Sequence, residues 1–366
     1  MRLARISSIL FLVNLCLLST PFEWPSLIVN IDINEMCVID GLCHSKHVSD
    51  ITQSSQTLLF TGDLMLARHV ERLANNNGRQ YSFASLASFA HPSDILVSNF
   101  EASLPVVHVP TPDFTMRFSV SRQLASVLPD YNINYVSLAN NHAADYGLDS
   151  YRHTRTQLAA MGVTAFGHPT KLNSDSIAYI ELDAVTVAVV GIHALYSQPS
   201  AEELLDTFAR ATALSDWQIA YVHWGNEYEG VHSQSQHAFA TQLVAAGADA
   251  VIGHHPHVVQ DIDIIDRVPV FYSLGNFVFD QYFSDAVMDG LLVRLRFSTT
   301  EIQYELVPIT TKFSHAQPAR MDDSRRSAFM ADLLAKSGLS TADAYRVGLL
   351  SDKALATSTQ ISIMTQ

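Results

Sequence analysis

Seven short apolar runs, each closing on a polar side chain, constrain this chain more than any other feature of it. They are TLLFTGD (57–63), DILVSNFE (94–101), INYVSLANNH (133–142), VTVAVVGIH (185–193), WQIAYVHWG (217–225), ADAVIGHHPH (248–257) and VPVFYSLGN (268–276). Runs this short and this rich in β-branched and aliphatic residues suit buried strands rather than helices. Between them lie helical patterns such as SRQLASVLPDY (121–131), DSYRHTRTQLAAMG (149–162) and HAFATQLVAAG (237–247), the last two closing on glycine, a favoured helix terminator. The alternation predicts an α/β protein with buried sheets covered by helices.

The polar residues that close the runs carry the chemistry. In open α/β sheets, ligands bind beyond the carboxyl ends of the strands, where loops aim side chains into one crevice. Asp63, Glu101, Asn141, His142, His223, His255 and His257 all stand at such ends. Singly, each reads equally well as a cap, a turn former or a hydrogen-bonded core histidine. Jointly they bring carboxylate, amide and imidazole to one edge, with no thiolate among them. That donor set suits Mn, Fe or Zn, whereas a closed structural zinc site usually recruits cysteine. Two ions sharing a bridging carboxylate hold a phosphoryl oxygen and generate a hydroxide nucleophile, and Glu101 is the candidate bridge.

Composition narrows the class of partner. Thirty-six acidic against twenty-two basic residues give a net charge of -14 over 366 residues, which excludes the basic footprint of a nucleic-acid binder. At the N-terminus, Arg2 and Arg5 precede the uncharged run ISSILFLVNLCLL, the pattern of an export signal. No clear A-x-A site follows, so a cleaved signal and a retained membrane anchor stay open for residues 1–21. Export would place Cys37 and Cys43, flanking VIDGL, in an oxidising compartment, as a small disulfide or as two free thiols. The boundaries expected from these patterns are a linker over 22–56, one catalytic-type domain over 57–312, and a helical extension over 313–366 broken at SGLS.

Six segments, in order, resemble one family. GDLMLAR (62–68), SNFEASL (98–104), ANNHAADYG (139–147), HWGNEY (223–228), GHHPHVVQ (253–260) and YSLGNFVFD (272–280) look like the successive signatures of the CapA proteins of bacterial capsule and poly-gamma-glutamate synthesis. The resemblance implies the calcineurin-like metallophosphatase superfamily and its four-layer α-β-β-α sandwich. It implies one or two divalent ions held by Asp63, Glu101, Asn141, His223, His255 and His257, with His142 as general acid rather than ligand. Arg68 and Arg117 become anion clamps, His254 and Asn276 supporting groups around the ligands, and Asp280 a neighbour of the same crevice.

Two departures from the wider superfamily stand in the sequence. Asp63-Leu64-Met65 replaces its Asp-x-His, and SNFE replaces its Gly-Asp, leaving Glu101 to bridge alone. The implied function is an exported protein of capsule or poly-gamma-glutamate synthesis with a metal-dependent hydrolase-type site, acting on an acidic polymer or a phosphoester. The alternatives are a non-catalytic polymer-binding or assembly subunit of a membrane synthesis complex, and a secreted phosphomonoesterase or nucleotidase.

Overall fold

The computed structural model describes residues 56–339 and the backbone of a strand over Thr359–Met364. The export-type segment, the linker apart from its last residue, and Cys16, Cys37 and Cys43 lie outside the described residues, as do 340–358.

Parallel strands begin the fold. β1 (Thr57–Leu64), β2 (Asp94–Phe100), β3 (Ile133–Ser137) and β4 (Thr164–Phe166) pair side by side in that order. Helices α1 (Arg68–Asn77) and α2 (Leu148–Ala159) provide crossovers between them. A second sheet contains β5 (Ile177–Glu181), β6 (Thr186–His193), β7 (Trp217–His223) and β8 (Ala250–His254), with α3 (Ala201–Thr212) and α4 (Gln234–Ala246) between its parallel members. β9 (Ile262–Ile265) and β10 (Val268–Phe271) complete it in the order β5-β6-β7-β8-β10-β9. The chain then returns to the first sheet through β11 (Asn276–Val278), β12 (Asp289–Phe297) and β13 (Glu301–Thr310). β14 (Ala319–Arg320) and β15 (Thr359–Met364) pair with β13, on either side of α5 (Asp323–Lys336).

Side-chain alternation along the strands builds the layers. Leu59 of β1 packs with Val70 of α1 and Leu158 of α2, while its neighbours Leu58 and Phe60 face the other way, into the space between the sheets. There they meet Val187 and Val189 of β6 and Tyr221 of β7. Ala188, Val190 and Ile192 of β6 point outward to Phe208 of α3 and Phe239 of α4. Helices, sheet, sheet, helices is the four-layer α/β sandwich that the apolar runs and the resemblance led us to expect. Capping boxes start α3 (Ser200 with Glu203) and α4 (Ser233 with Gln236), and Gly247 at φ +112° ends α4.

Two expectations of local structure change. SRQLASVLPDY is not one helix: a four-residue turn over Arg122–Ala125 is followed by a 3-10 turn over Leu128–Tyr131, because Pro129 supplies no amide hydrogen to continue the first. VPVFYSLGN is not one strand. β10 ends at Phe271 in the second sheet, the chain turns at Gly275 (φ +68°), and Asn276 opens β11 against β1 of the first sheet.

Candidate metal centre at the meeting of the two sheets

The carboxyl ends of β1, β2, β3, β6, β7 and β8 deliver the polar residues, and two glycines let the backbones converge. A Cβ on Gly62 would lie 1.8 Å from the Gly275 carbonyl oxygen, and one on Gly253 2.1 Å from that of Tyr272. Only glycine permits this approach on either side of the centre. Beyond β8 the turn His255-Pro256-His257 holds both histidines at positive φ, +102° and +59°. Non-glycine residues there cost about 1–3 kcal/mol each, a burden tolerated where the surroundings fix the turn.

Two groups of side chains result, each with ligand atoms within 4.8 Å of one another: Asp63 with His223 and His254, and Glu101 with His255 and His257. All six residues are buried. His223 lies within 2.8 Å of two partners, its Nε2 from Asn141 Oδ1 and its Nδ1 from His254 Nδ1. Such spacings suit a hydrogen bond or two ligands of one ion. His257 Nδ1 lies 2.9 Å from Asn276 Oδ1 and 3.1 Å from Asp63 Oδ2, so it donates, and its Nε2 turns to Glu101 Oε1 at 3.9 Å. That is the supporting contact that orients ligating histidines. Asn276 therefore stands where the resemblance implied, behind His257.

Electrostatics separate the histidines. Burial pushes His254 down to about 4 and, with the neighbouring His257, His255 to about 3, and it carries His223 well below its usual range. These three imidazoles are neutral at pH 7, with lone pairs to offer. His257 goes the other way, to about 9: burial opposes its charge, but the Glu101 and Asp63 carboxylates outweigh it. Asp63 is likewise resisted by burial, yet brought to about 2 by the hydrogen bond and charge of His257. Burial and the Asp63 charge hold Glu101 well above the ordinary carboxylate range.

The residues fit a divalent cation by a test internal to the structure. Glu101 Oε1, His254 Nε2 and His255 Nδ1 are buried with no hydrogen-bond partner. A buried polar atom left unpaired costs about 1–3 kcal/mol, and a cation in either group would satisfy the atom there that presents a lone pair to it.

His142 sits beside this centre. Its Nδ1 lies 2.9 Å from Asp145 Oδ2, its Nε2 3.8 Å from Glu101 Oε1, and its ring stacks on Phe118 at 4.1 Å. On Phe118 also lies the Arg68 guanidinium, 4.6 Å from the ring centroid. Arg68 Nε donates to Asp280 Oδ2 at 3.0 Å, which accounts for Asp280. His142, Glu101, His257 and Arg68 line a cavity of 470 Å³ with apolar walls that include Phe114 and Tyr228. Arg117 is not brought to that cavity. It is exposed, and its Nε and Nη2 bind the Asp145 carbonyl oxygen, which secures the loop that orients His142.

Three placements lay beyond sequence reasoning. His254, expected beside the centre as a supporting or solvent-facing group, is fully buried and grouped with Asp63 and His223. Asn99 donates to Asp63 Oδ1 and Glu101 Oε2, and accepts from Asn140, so it ties the two groups together. His193, at the end of β6 and opposite His223, has a buried Nε2 without a partner. Only its position at the end of the run VTVAVVGIH could have singled it out.

A four-layer α/β sandwich with buried imidazoles and carboxylates at its converging strand ends defines an α/β protein with a candidate centre compatible with a divalent metal. Within that class the chain belongs to the family described as bacterial capsule synthesis protein PGA_cap, whose model matches residues 57–281. It is 30% identical over 287 residues to the capsule biosynthesis protein CapA of Bacillus anthracis, covering 72% of this chain and 69% of the relative. It is 27% identical over 312 residues to the PGA biosynthesis protein CapA of Bacillus subtilis (strain 168), covering 80% and 81%. Among solved structures it is similar to a novel phosphatase of Mycoplasma pneumoniae, at 14% identity over 71% of this chain and 88% of the other, with a TM-score of 0.44. Among the described residues no helix is long and apolar enough to cross a membrane.

Proposed function

We propose that this chain is the metal-dependent hydrolase-type member of an exported capsule or poly-gamma-glutamate synthesis system, acting on an acidic polymer or a phosphoester. One observation carries the reading: two buried ligand groups are joined through Asn99, and Glu101 and His257 of one group line a cavity with a histidine that a carboxylate orients. Asp63, His223 and His254 would hold one ion, and Glu101, His255 and His257 a second or the same one, with Asn141 available to an ion on the Nε2 side of His223. A bound divalent cation supplies Lewis acidity and lowers the pKa of a water molecule.

The chain's own residues do the rest. Asp145 accepts the Nδ1 proton of His142 and so turns Nε2 toward the cavity, where it delivers a proton to a leaving oxygen. Arg68, held by Asp280 and Phe118, offers its remaining guanidinium hydrogens to an anionic group, a local attraction that a protein of net charge -14 requires. The apolar walls exclude water around the reacting atoms.

The test is metal content of the folded chain against its H255A/H257A variant, followed by phosphoester and γ-glutamyl amide substrates. Bound metal lost in the variant, with turnover by the wild type, supports the reading. A folded wild type that takes up neither Mn, Fe nor Zn overturns it.

A second reading has its own support. The two arginines of the cavity, Arg68 and Arg72, are both paired with carboxylates, Asp280 and Asp113. A subunit that binds polymer without cutting it, within a membrane synthesis complex, would use such arginines by carboxylate exchange. Metal uptake without turnover of either substrate class favours this role.

A further inference from the structure

A third cluster of metal-binding side chains lies outside the centre described above. His232 precedes the N-cap of α4, His237 lies in its first turn, and Asp263 is on β9; ligand atoms of the three fall within 4.8 Å of one another. We propose that these residues form a second, partly exposed site for a zinc-type divalent cation.

The local geometry supports a ligand role for each. His237 Nδ1 and Asp263 Oδ2 are 3.1 Å apart, close to the separation of about 3.3 Å between two ligands of a tetrahedral zinc with bonds near 2.0 Å. His232 is oriented from behind: its Nδ1 lies 2.7 Å from Oδ2 of the buried Asp261, whose Oδ1 also accepts the His232 backbone amide. Its ring is clamped on Tyr272 at 4.0 Å and 17°. A carboxylate fixed on one imidazole nitrogen leaves the other, Nε2, for a metal, the arrangement that supports ligating histidines generally. Two imidazoles and one carboxylate, with water as the fourth ligand, make an N/O set that zinc accepts. An ion there would tie the loop before α4, the helix itself and β9 together.

The full-length chain provides the test, with Zn2+ titrated against a chromophoric chelator and bound zinc counted by elemental analysis. In the H255A/H257A background, adding H232A/H237A removes one zinc equivalent, leaving only what Asp63, His223 and His254 still hold, and weakens zinc affinity at the lost site at least tenfold. Equal zinc content and affinity with and without His232 and His237 overturn the proposal and leave the cluster a hydrogen-bonded corner. If H255A/H257A fails to fold, H232A/H237A in the otherwise unaltered chain decides: loss of one equivalent supports the site, and unchanged content overturns it.

Discussion

The two buried ligand groups and the half-exposed cluster on β9 and α4 use the same side chains under opposite conditions. At the centre, burial keeps three imidazoles neutral and strands three polar atoms without partners. At the surface, His232 and His237 are 26% and 49% exposed in their side chains, and each already has a carboxylate beside it. Protein architecture creates the demand for a cation in the first case. In the second, the residues can be satisfied by one another and by water, so metal there depends on supply. Histidine count alone does not distinguish the two; desolvation does.

Breaking the buried centre's scaffold should give the largest effect. Gly253→Ala drives a Cβ into the Tyr272 carbonyl oxygen and to 2.4 Å from Trp224 Nε1, and it should destabilise the fold by about 3 kcal/mol or more in denaturant unfolding.

Next come the groups that would move a proton. Whatever hydrolysis the chain performs, His142→Ala should lower kcat about 10²- to 10⁴-fold. Asp145→Asn should cost less and change the pH profile, since it removes the negative charge of the acceptor at His142 Nδ1. Unchanged turnover in His142→Ala would remove it from the chemistry.

A smaller effect sharpens the contrast between the clusters. If His254 is a ligand, His254→Ala should weaken Mn2+ or Zn2+ binding at the buried centre about 10- to 100-fold by competitive titration, with the surface site untouched. Equal affinity would exclude both a ligand and a supporting role for His254.

The smallest effect tests desolvation where no metal is involved. Burial raises Asp249, before β8, from 3.8 to about 6, against the hydrogen bond from the Gln218 amide. A carboxyl raised on folding contributes stability that is complete below the unfolded value of 3.8 and lost as pH rises through about 6. Asp249→Asn should therefore flatten the stability profile between those values and gain on the order of 1 kcal/mol at pH 7, read by thermal unfolding across pH.

How far the sequence reaches can be judged from particular residues. Asp63, Glu101, His142, His223, His255 and His257 were legible because each interrupts an apolar run at its end, and strand ends of parallel sheets converge in any fold of this type. The layers were legible too, since alternating strands buried on both faces require helices on either side. Asn99 was not legible. It lies one pleat inside its strand, and only the register Asp63↔Asn99 places its amide between two carboxylates. Nor was Arg117 readable as a loop anchor, because a guanidinium serves an anion or a carbonyl with the same hydrogens.

The sequence by itself determined the strands, their polar termini and the donor chemistry, because hydrophobic periodicity and side-chain type are local properties. Tertiary structure decided which donors share a cavity, which imidazoles lose their charge, and that YSLGN crosses from one sheet to the other to set Asn276 behind His257. Those outcomes depend on distance and desolvation between segments far apart in the chain, and no local pattern encodes them.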